Sequence, residues 1–521
     1  MSKNQVFLYD TTLRDGAQRE GLSFTVQDKL KIAKQIDKLG IHYIEGGMPA
    51  ANPKDAEFFR EAKKLKLKHS KLVAFGSTRY KGVIASKDKS LKAIVNSGVK
   101  VACIFGKSWP IHVRKVLKTS LKENLAMISD SVKYLKNQGL EVIYDAEHFF
   151  DAYKSDSDYA LKTLEAAEVG GADFLVLCDT NGGALPHEVD EIVKIVSNKH
   201  KTPLGIHAHN DSESAVANSL IAVRSGVSQV QGTINGYGER CGNANLMSVI
   251  PALALKMNKK AITNSRLRLL TETAHYVSEI VNVTPDAHQP YVGQSAFAHK
   301  AGLHVSAVSK DKDFYQHIDP SLVGNASRVL ISELAGKSNV VIRAKHLGID
   351  LSKEPRKVEK ILKKIKELEY IGYHFEAADG SFEVMIKKYL KKYKPLFRLE
   401  SFRVLMEKRK DTEVLTEATI KVHCKGKRIV ATAEGNGPVN ALDTALRMAI
   451  GKAYPSLKKI NLSDYKVRVL DEKKGTGAVV RVLIESSDGK ESWGTIGVSE
   501  NIIEASWQAL VDSLDYGLKG K

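Results

Sequence analysis

Between Val6 and about Leu255, short β-rich runs alternate with amphipathic stretches eight times, and this rhythm restricts the fold more than any other feature of the chain. The runs are Val6–Tyr9, Tyr43–Gly46, Lys71–Phe75, Val99–Phe105, Leu140–Tyr144, Phe174–Cys178, Leu204–Ala208 and Gln229–Ile234. Between them Val26–Leu39, Lys122–Gln138, Tyr159–Val169 and Ser212–Arg224 carry helical periodicity, several behind a Ser, Thr or Asp suited to cap a helix N-terminus. Strands that alternate with helices pair in parallel, and eight such units in roughly 250 residues have the size of a TIM barrel. A doubly wound open sheet is the rival. It would carry G-x-G-x-x-G after the first strand, where this chain has Thr11, Thr12, Arg14 and Asp15.

After the eighth unit the rhythm changes. Residues 261–394 read as mostly helical, with a lysine-rich amphipathic stretch at Val358–Leu368. From Pro395 a weak repeat of strand, Gly-containing turn and helix appears, first as RIVATAEGNGPVNALDTALRMAI and again as ESWGTIGVSENIIEASWQALVDSL. The expected class is therefore α/β, with a TIM (β/α)8 barrel over 1–260, helical linker subdomains over 261–394, and a separate C-terminal α/β domain with an internal repeat over 395–521.

Composition excludes several classes. With 521 residues, 43% hydrophobic and 27% charged, the chain is neither disordered, collagenous nor a disulfide scaffold. Lys and Arg outnumber Asp and Glu by 79 to 60, a formal charge of +19. The excess is spread along the chain and not gathered on one basic face beside aromatics, which argues against nucleic acid and leaves anionic small molecules open. Cys103, Cys178, Cys241 and Cys424 form no C-x-x-C pair, so a reducing compartment is expected. The first ten residues lack a charged leader with an apolar core, and no apolar run reaches membrane-spanning length. The expectation is a cytoplasmic protein with no membrane partner.

His207 and His209 stand at i and i+2 near the end of the seventh strand, so both imidazoles face the same side. In a closed eight-stranded barrel the first and seventh strands flank the eighth, which brings Asp15 toward them, and Asn243 follows strand eight. Two imidazoles, a carboxylate and an amide oxygen suit a divalent ion such as Zn, Mn, Co or Mg. Arg14 is placed to grip a substrate carboxylate through its planar fork. Glu147 and Thr180 follow strands five and six at the same mouth, Glu147 to orient Arg14 or carry a proton, Thr180 to hold a substrate oxygen. Gly435, Gly437 and Pro438 open a helix near Asn440, whose unpaired N–H groups would receive an anion such as an amino-acid carboxylate.

Three motifs make a family resemblance specific. YDTTLRDGAQREG at Tyr9–Gly21, GIHAHND at Gly205–Asp211 and INGYGERCGNANL at Ile234–Leu246 resemble the signatures of the isopropylmalate, homocitrate and citramalate synthase family. YIEGGMPAANPKDAEFF at Tyr43–Phe59, YDAEHFFDAY at Tyr144–Tyr153 and CDTNGG at Cys178–Gly183 look most like its citramalate branch. The resemblance implies condensation of acetyl-CoA with a 2-oxo acid, pyruvate in that branch, on a metal-bearing barrel. It implies Asp15, His207 and His209 as ligands, Asn243 as a nearby or weaker one, and Arg14, Thr180 and Tyr144 as oxo-acid contacts. AFAHKAGLHVSA resembles the family's catalytic-histidine segment, with His304 as base and Tyr315 as companion. Feedback by a branched-chain amino acid, isoleucine in the citramalate branch, and a homodimer are further implications. Two departures stand out: Ala17 replaces a Glu of many relatives, and the Glu147 segment is shifted in register. The siblings acting on 2-oxoisovalerate or 2-oxoglutarate are the alternatives, with an aldol-type lyase and a nucleic-acid binder beyond them.

Overall fold

The computed structural model describes residues 4–299, 315–329, 337–346, 348–375, 378–408, 410, 413–470, 475 and 477–518. Eight parallel strands close a barrel in chain order: β1 (Phe7–Asp10), β2 (Tyr43–Gly47), β3 (Lys71–Ser77), β4 (Val101–Lys107), β5 (Glu141–Glu147), β6 (Phe174–Asp179), β7 (Leu204–Ala208) and β8 (Gln229–Gly232). Closure is made by β1 against β8, with Phe7 opposite Gln229 and Asp10 opposite Gly232. Both faces of such strands are buried. Alternate residues such as Leu8, Ile44, Ile104, Val142, Leu175 and Val230 meet the surrounding helices, while Tyr43, Val101, Ile143, Phe174 and Val176 fill the interior.

The helices begin and end where local chemistry dictates. Over Val26–Leu39, Thr25 Oγ1 accepts from the Asp28 N–H and the Asp28 carboxylate accepts from the Thr25 N–H, a reciprocal cap. Gly40, at φ +91°, ends the helix in the left-handed region. Loss of the cap through Thr25→Ala would cost about 1 kcal/mol. The strands enter the barrel from loops held by carboxylates. Asp37 accepts from the N–H groups of Lys68, His69 and Ser70 ahead of β3, and Glu168 from those of Lys201 and Thr202 ahead of β7.

The compact unit built on the barrel runs through Phe297 and includes 317–326. Its helix Leu270–Ile280 returns to the barrel, where Thr273 Oγ1 accepts from Gln35 and Glu272 pairs with Lys38. The second unit holds two copies of a three-stranded antiparallel sheet followed by a helix. The first is Arg398–Lys408, Val414–Cys424, Lys427–Gly435 and helix Pro438–Ile450; the second is Asn461–Val469, Val480–Ser487, Ser492–Ser499 and helix Ile502–Gly517. The repeat is thus longer than expected, each copy carrying two strands ahead of the one matched in the sequence. Helices Lys337–His346, Pro355–Tyr370 and Asp379–Tyr389 belong to this unit, and Ile361, Ile365 and Phe382 share a core with Ile496 of the second sheet. No helix among the described residues is long and apolar enough to cross a membrane, and all four cysteines are free.

Candidate active site

The last inward positions of the strands carry polar groups where those below carry apolar ones. Asp15 follows β1 on a short turn whose N–H bonds to the Thr11 carbonyl (2.9 Å). Its Oδ2 lies 3.2 Å from His207 Nε2 and 3.7 Å from His209 Nε2, and all three residues are buried. One ligand atom from each falls within 4.8 Å of the others. Asn243 is held between β7 and β8, its Nδ2 3.0 Å from Asp15 Oδ2 and 3.1 Å from His207 Nε2. Its Oδ1 is buried without a hydrogen-bond partner, as is His209 Nδ1.

Those orphaned atoms test whether the residues fit a cation. Amide oxygen and nitrogen are interchangeable by a half-turn of the side chain, so Asn243 can present an oxygen where its Nδ2 now lies. Burial alone would raise the Asp15 carboxyl, yet Arg14, His207 and His209 hold it well below the usual carboxylate range. Burial and the neighbouring His207 bring His209 down to about 4, which keeps its ring neutral and able to donate a lone pair. The N2O set, with an amide at its edge, fits a divalent ion of borderline hardness.

Arg14 lies beside this triad, its Nη1 3.4 Å from Asp15 Oδ2. Its Nε donates to Glu45, a buried carboxylate that also accepts from the Tyr9 hydroxyl and from Thr11 Oγ1 (2.6 Å). The guanidinium lies 3.9 Å above the Phe75 ring, which is stacked on Phe105 at 5.5 Å. Against the penalty of burial, Glu45 and Asp15 raise the Arg14 pKa further, so it is permanently charged. The cavity in front of these groups holds about 280 Å³ and is lined by Arg14, Asp15, Met48, Phe75, Phe105, Asp145, Glu147, Cys178, Thr180, His207, His209 and Arg240 among others.

The structure brings together Arg14, Asp15, Thr180, His207, His209 and Asn243, as expected, and places Glu147 on the same cavity, where it does not contact Arg14. Glu147 pairs with Lys107, and Glu45 takes the part of orienting Arg14. Thr180 Oγ1 accepts from the His148 N–H (2.8 Å). Tyr144 is corrected: it is wholly buried in the layer between barrel and helices, away from the mouth. It stands three residues before Glu147, and on a strand that spacing sends the two side chains to opposite faces. His304 lies outside the described residues, and Tyr315 is an exposed residue of the second unit. Sequence reasoning missed Glu45, Asp145 and Gln231. The signal for Glu45 and Asp145 was a carboxylate at an inward position of an otherwise apolar strand, and for Gln231 the pair of glutamines two apart in Gln229–Gly232.

Ahead of helix Pro438–Ile450 in the first copy, a Cβ on Gly435 would come within 2.5 Å of the Ala441 nitrogen, so this glycine is needed for close packing. Gly437 is in extended backbone that any residue adopts, and Asn440 Oδ1 accepts from the Asn436 N–H (3.2 Å).

Comparison with known proteins agrees with this architecture. Residues 5–277 match the HMGL-like family, 291–372 the homocitrate synthase post-HMGL domain-like family, and 376–518 the LeuA allosteric (dimerisation) domain. The chain belongs to the HMGL-like family. It is 54% identical over 516 residues to an (R)-citramalate synthase of Aquifex aeolicus, covering 99% of this chain and 98% of that protein. An (R)-citramalate synthase of Geobacter sulfurreducens is 55% identical over 515 residues, covering 98% and 97%. A 2-isopropylmalate synthase of Methanocaldococcus jannaschii is 30% identical over 516 residues, covering 98% and 94%. Within the family the chain groups with the (R)-citramalate synthases.

Proposed function

We propose that the chain condenses acetyl-CoA with pyruvate to give (R)-citramalate and CoA, an acyl transfer in which the acetyl group becomes an alkyl group, in isoleucine biosynthesis. The observation that carries this reading is the Asp15–His207–His209 triad beside Arg14 in a small cavity walled by Phe75 and Phe105. A divalent ion, Mg, Mn, Zn or Co, would be held by those three side chains with Asn243, and when bound it supplies a Lewis acid for the 2-oxo acid's carbonyl. Arg14, fixed by Glu45, neutralises the pyruvate carboxylate and the negative charge that grows as the new bond forms. Thr180 offers a hydroxyl to a substrate oxygen. His304 takes a proton from the acetyl methyl, with Tyr315 as its companion, on the strength of the AFAHKAGLHVSA motif. Glu147, paired with Lys107 at the rim, is the second proton-carrying group. The methyl carbon then attacks the ketone carbon, the former carbonyl oxygen gains a proton, and water cleaves the thioester to release CoA.

The preference for pyruvate over its larger homologues rests on the likeness to the citramalate branch; Phe75 and Phe105 form the wall beside Arg14 against which a branched side chain would have to pack. Free-thiol release measured with pyruvate, 2-oxoisovalerate and 2-oxoglutarate tests the assignment. Higher kcat/KM with either larger acid at saturating acetyl-CoA would overturn the citramalate reading and leave the condensation chemistry standing.

The duplicated sheet-and-helix module is assigned to feedback, with isoleucine received near Gly435, Gly437 and Asn440, and to assembly of a homodimer. The match of residues 376–518 to an allosteric (dimerisation) domain supports both. Calorimetric titration of the full chain with isoleucine, leucine and valine tests the first, and sedimentation the second. Four free cysteines, three of them buried, suit a cytoplasmic location.

A further inference from the structure

His207 makes a second contact on the side of its ring away from Asp15. Its Nδ1 lies 2.9 Å from Gln231 Oε1, and Gln231 Nε2 lies 3.1 Å from Asp145 Oδ1 and 3.5 Å from Gln229 Oε1. His207, Gln231, Asp145 and Gln229 are all buried inside the barrel. We propose that Gln231 and Asp145 are positioning residues that hold a proton on Nδ1 of His207 and so leave Nε2, on the Asp15 side of the ring, as the nitrogen that serves the ligand cluster.

The logic is one of donors and acceptors. A neutral imidazole has one N–H and one lone pair, and whichever group faces Nδ1 decides which is which. A glutamine amide would serve either tautomer if it were free to turn over. Here it is not free, because its NH2 faces the Asp145 carboxylate at 3.1 Å, a group that can only accept, and turning it would set the amide oxygen against that carboxylate. The carboxylate on β5 therefore fixes the amide on β8, which fixes the ring on β7. The chain of contacts crosses the barrel interior, and no water is needed to complete it. The ligand role of His207 rests on the cation-site reading above. The Nδ1 proton itself does not, so the two fail separately.

The test uses the full-length chain with 15N-labelled histidine, stripped of metal, its His207 signals assigned by their loss in His207→Gln. Wild type should show Nδ1 protonated whether or not Nε2, 3.2 Å from the Asp15 carboxylate, also carries a proton, and a ring with a bare Nδ1 would overturn the proposal whatever the variants do. Gln231→Leu and Asp145→Leu, checked for folding by circular dichroism, should show a fraction of rings with a bare Nδ1 and bind Mn2+ about 10–100-fold more weakly by calorimetry. Asp145→Asn keeps an acceptor oxygen for Gln231, so it should keep the Nδ1 proton and stay within about threefold of wild-type affinity. If Asp145→Asn loses as much as Asp145→Leu, the carboxylate acts through charge alone and the lock is refuted. A fully protonated Nδ1 with undiminished Mn2+ affinity in Gln231→Leu would refute it equally.

Discussion

The two ends of the barrel interior are built from the same eight strands and contain opposite chemistry. At the N-terminal end Phe7, Tyr43 and Phe174 meet edge-on or tilted at 5.8–6.4 Å, over a layer of Val101, Ile143 and Val176. At the C-terminal end the inward positions hold Glu45, Asp145, His207 and His209, joined by Arg14 and Asp15 from the first loop. Moving up one strand by two residues, as from Tyr43 to Glu45 or from Ile143 to Asp145, crosses from one environment to the other. The apolar end is specified mainly by volume, with the Tyr43 hydroxyl donating to Glu141 at its edge (2.6 Å), whereas every polar group at the other end needs a partner in a particular direction. The first end supplies stability and the second uses it.

If that division holds, substitutions at the two ends separate cleanly. The largest effect is expected for His207→Ala or Asp15→Ala: a loss of kcat/KM of about 10⁴-fold, roughly 5.4 kcal/mol, together with loss of bound metal in a chain that still folds. A folded His209→Ala chain with full metal content and normal turnover would break the assignment. Next is Phe174→Ala, which should lower unfolding stability by about 4 kcal/mol in urea melts while the folded fraction keeps its Mn2+ affinity. Phe105→Ala should widen the cavity and raise the ratio of 2-oxoisovalerate to pyruvate kcat/KM by about tenfold, read from thiol release.

The smallest effect concerns the carboxylates that hold the entry loops. Burial opposes ionisation of Glu168, but His200 and the Thr202 N–H and hydroxyl bring its pKa from 4.5 down to about 2. Such a group adds stability above pH 4.5, and that contribution is lost as the pH falls through about 2. Glu168→Gln should therefore cost about 1 kcal/mol or less at pH 7, and the gap to wild type should close as the melts are repeated from pH 4.5 downward.

The parts of the site legible in sequence were those whose position follows from strand parity and ring closure. His207 and His209 share a face because they are two apart, and Asp15 meets them because β1 and β7 both flank β8. Val26–Leu39 has the bounds its periodicity gave, since caps at both ends are encoded locally by Thr25, Asp28 and Gly40. Arg14 could be read as charged and near the mouth, but its partner could not, because Glu45 is 31 residues away on another strand and only packing selects it over Glu147. Tyr144 shows the cost of carrying a whole motif into a site without checking the parity of each residue. The regulatory repeat was read one strand deep: Arg398–Lys408 has charged residues on both faces, whereas Asn461–Val469 alternates Asp464, Lys466 and Arg468 with Tyr465, Val467 and Val469 and could have been read.

Closure of the ring by β1 on β8 also gives the site a history. Asp15 and Asn243, in contact across 228 residues of chain, bracket the barrel almost from end to end. A chain emerging from the ribosome has its carboxylate ligand early and its two imidazoles only after most of the strands have appeared. No partial barrel can offer the set, because the seam between first and last strand is what sets Asp15 beside His207. A cation held by these residues would act as a clasp on that seam, removing the ends' freedom to part, and the loop it fastens is nearly the longest the domain contains. Metal capture is then a timer for completion of the barrel: nascent chains cut before Gln229 should bind none, and the first chains to bind should be those that have closed.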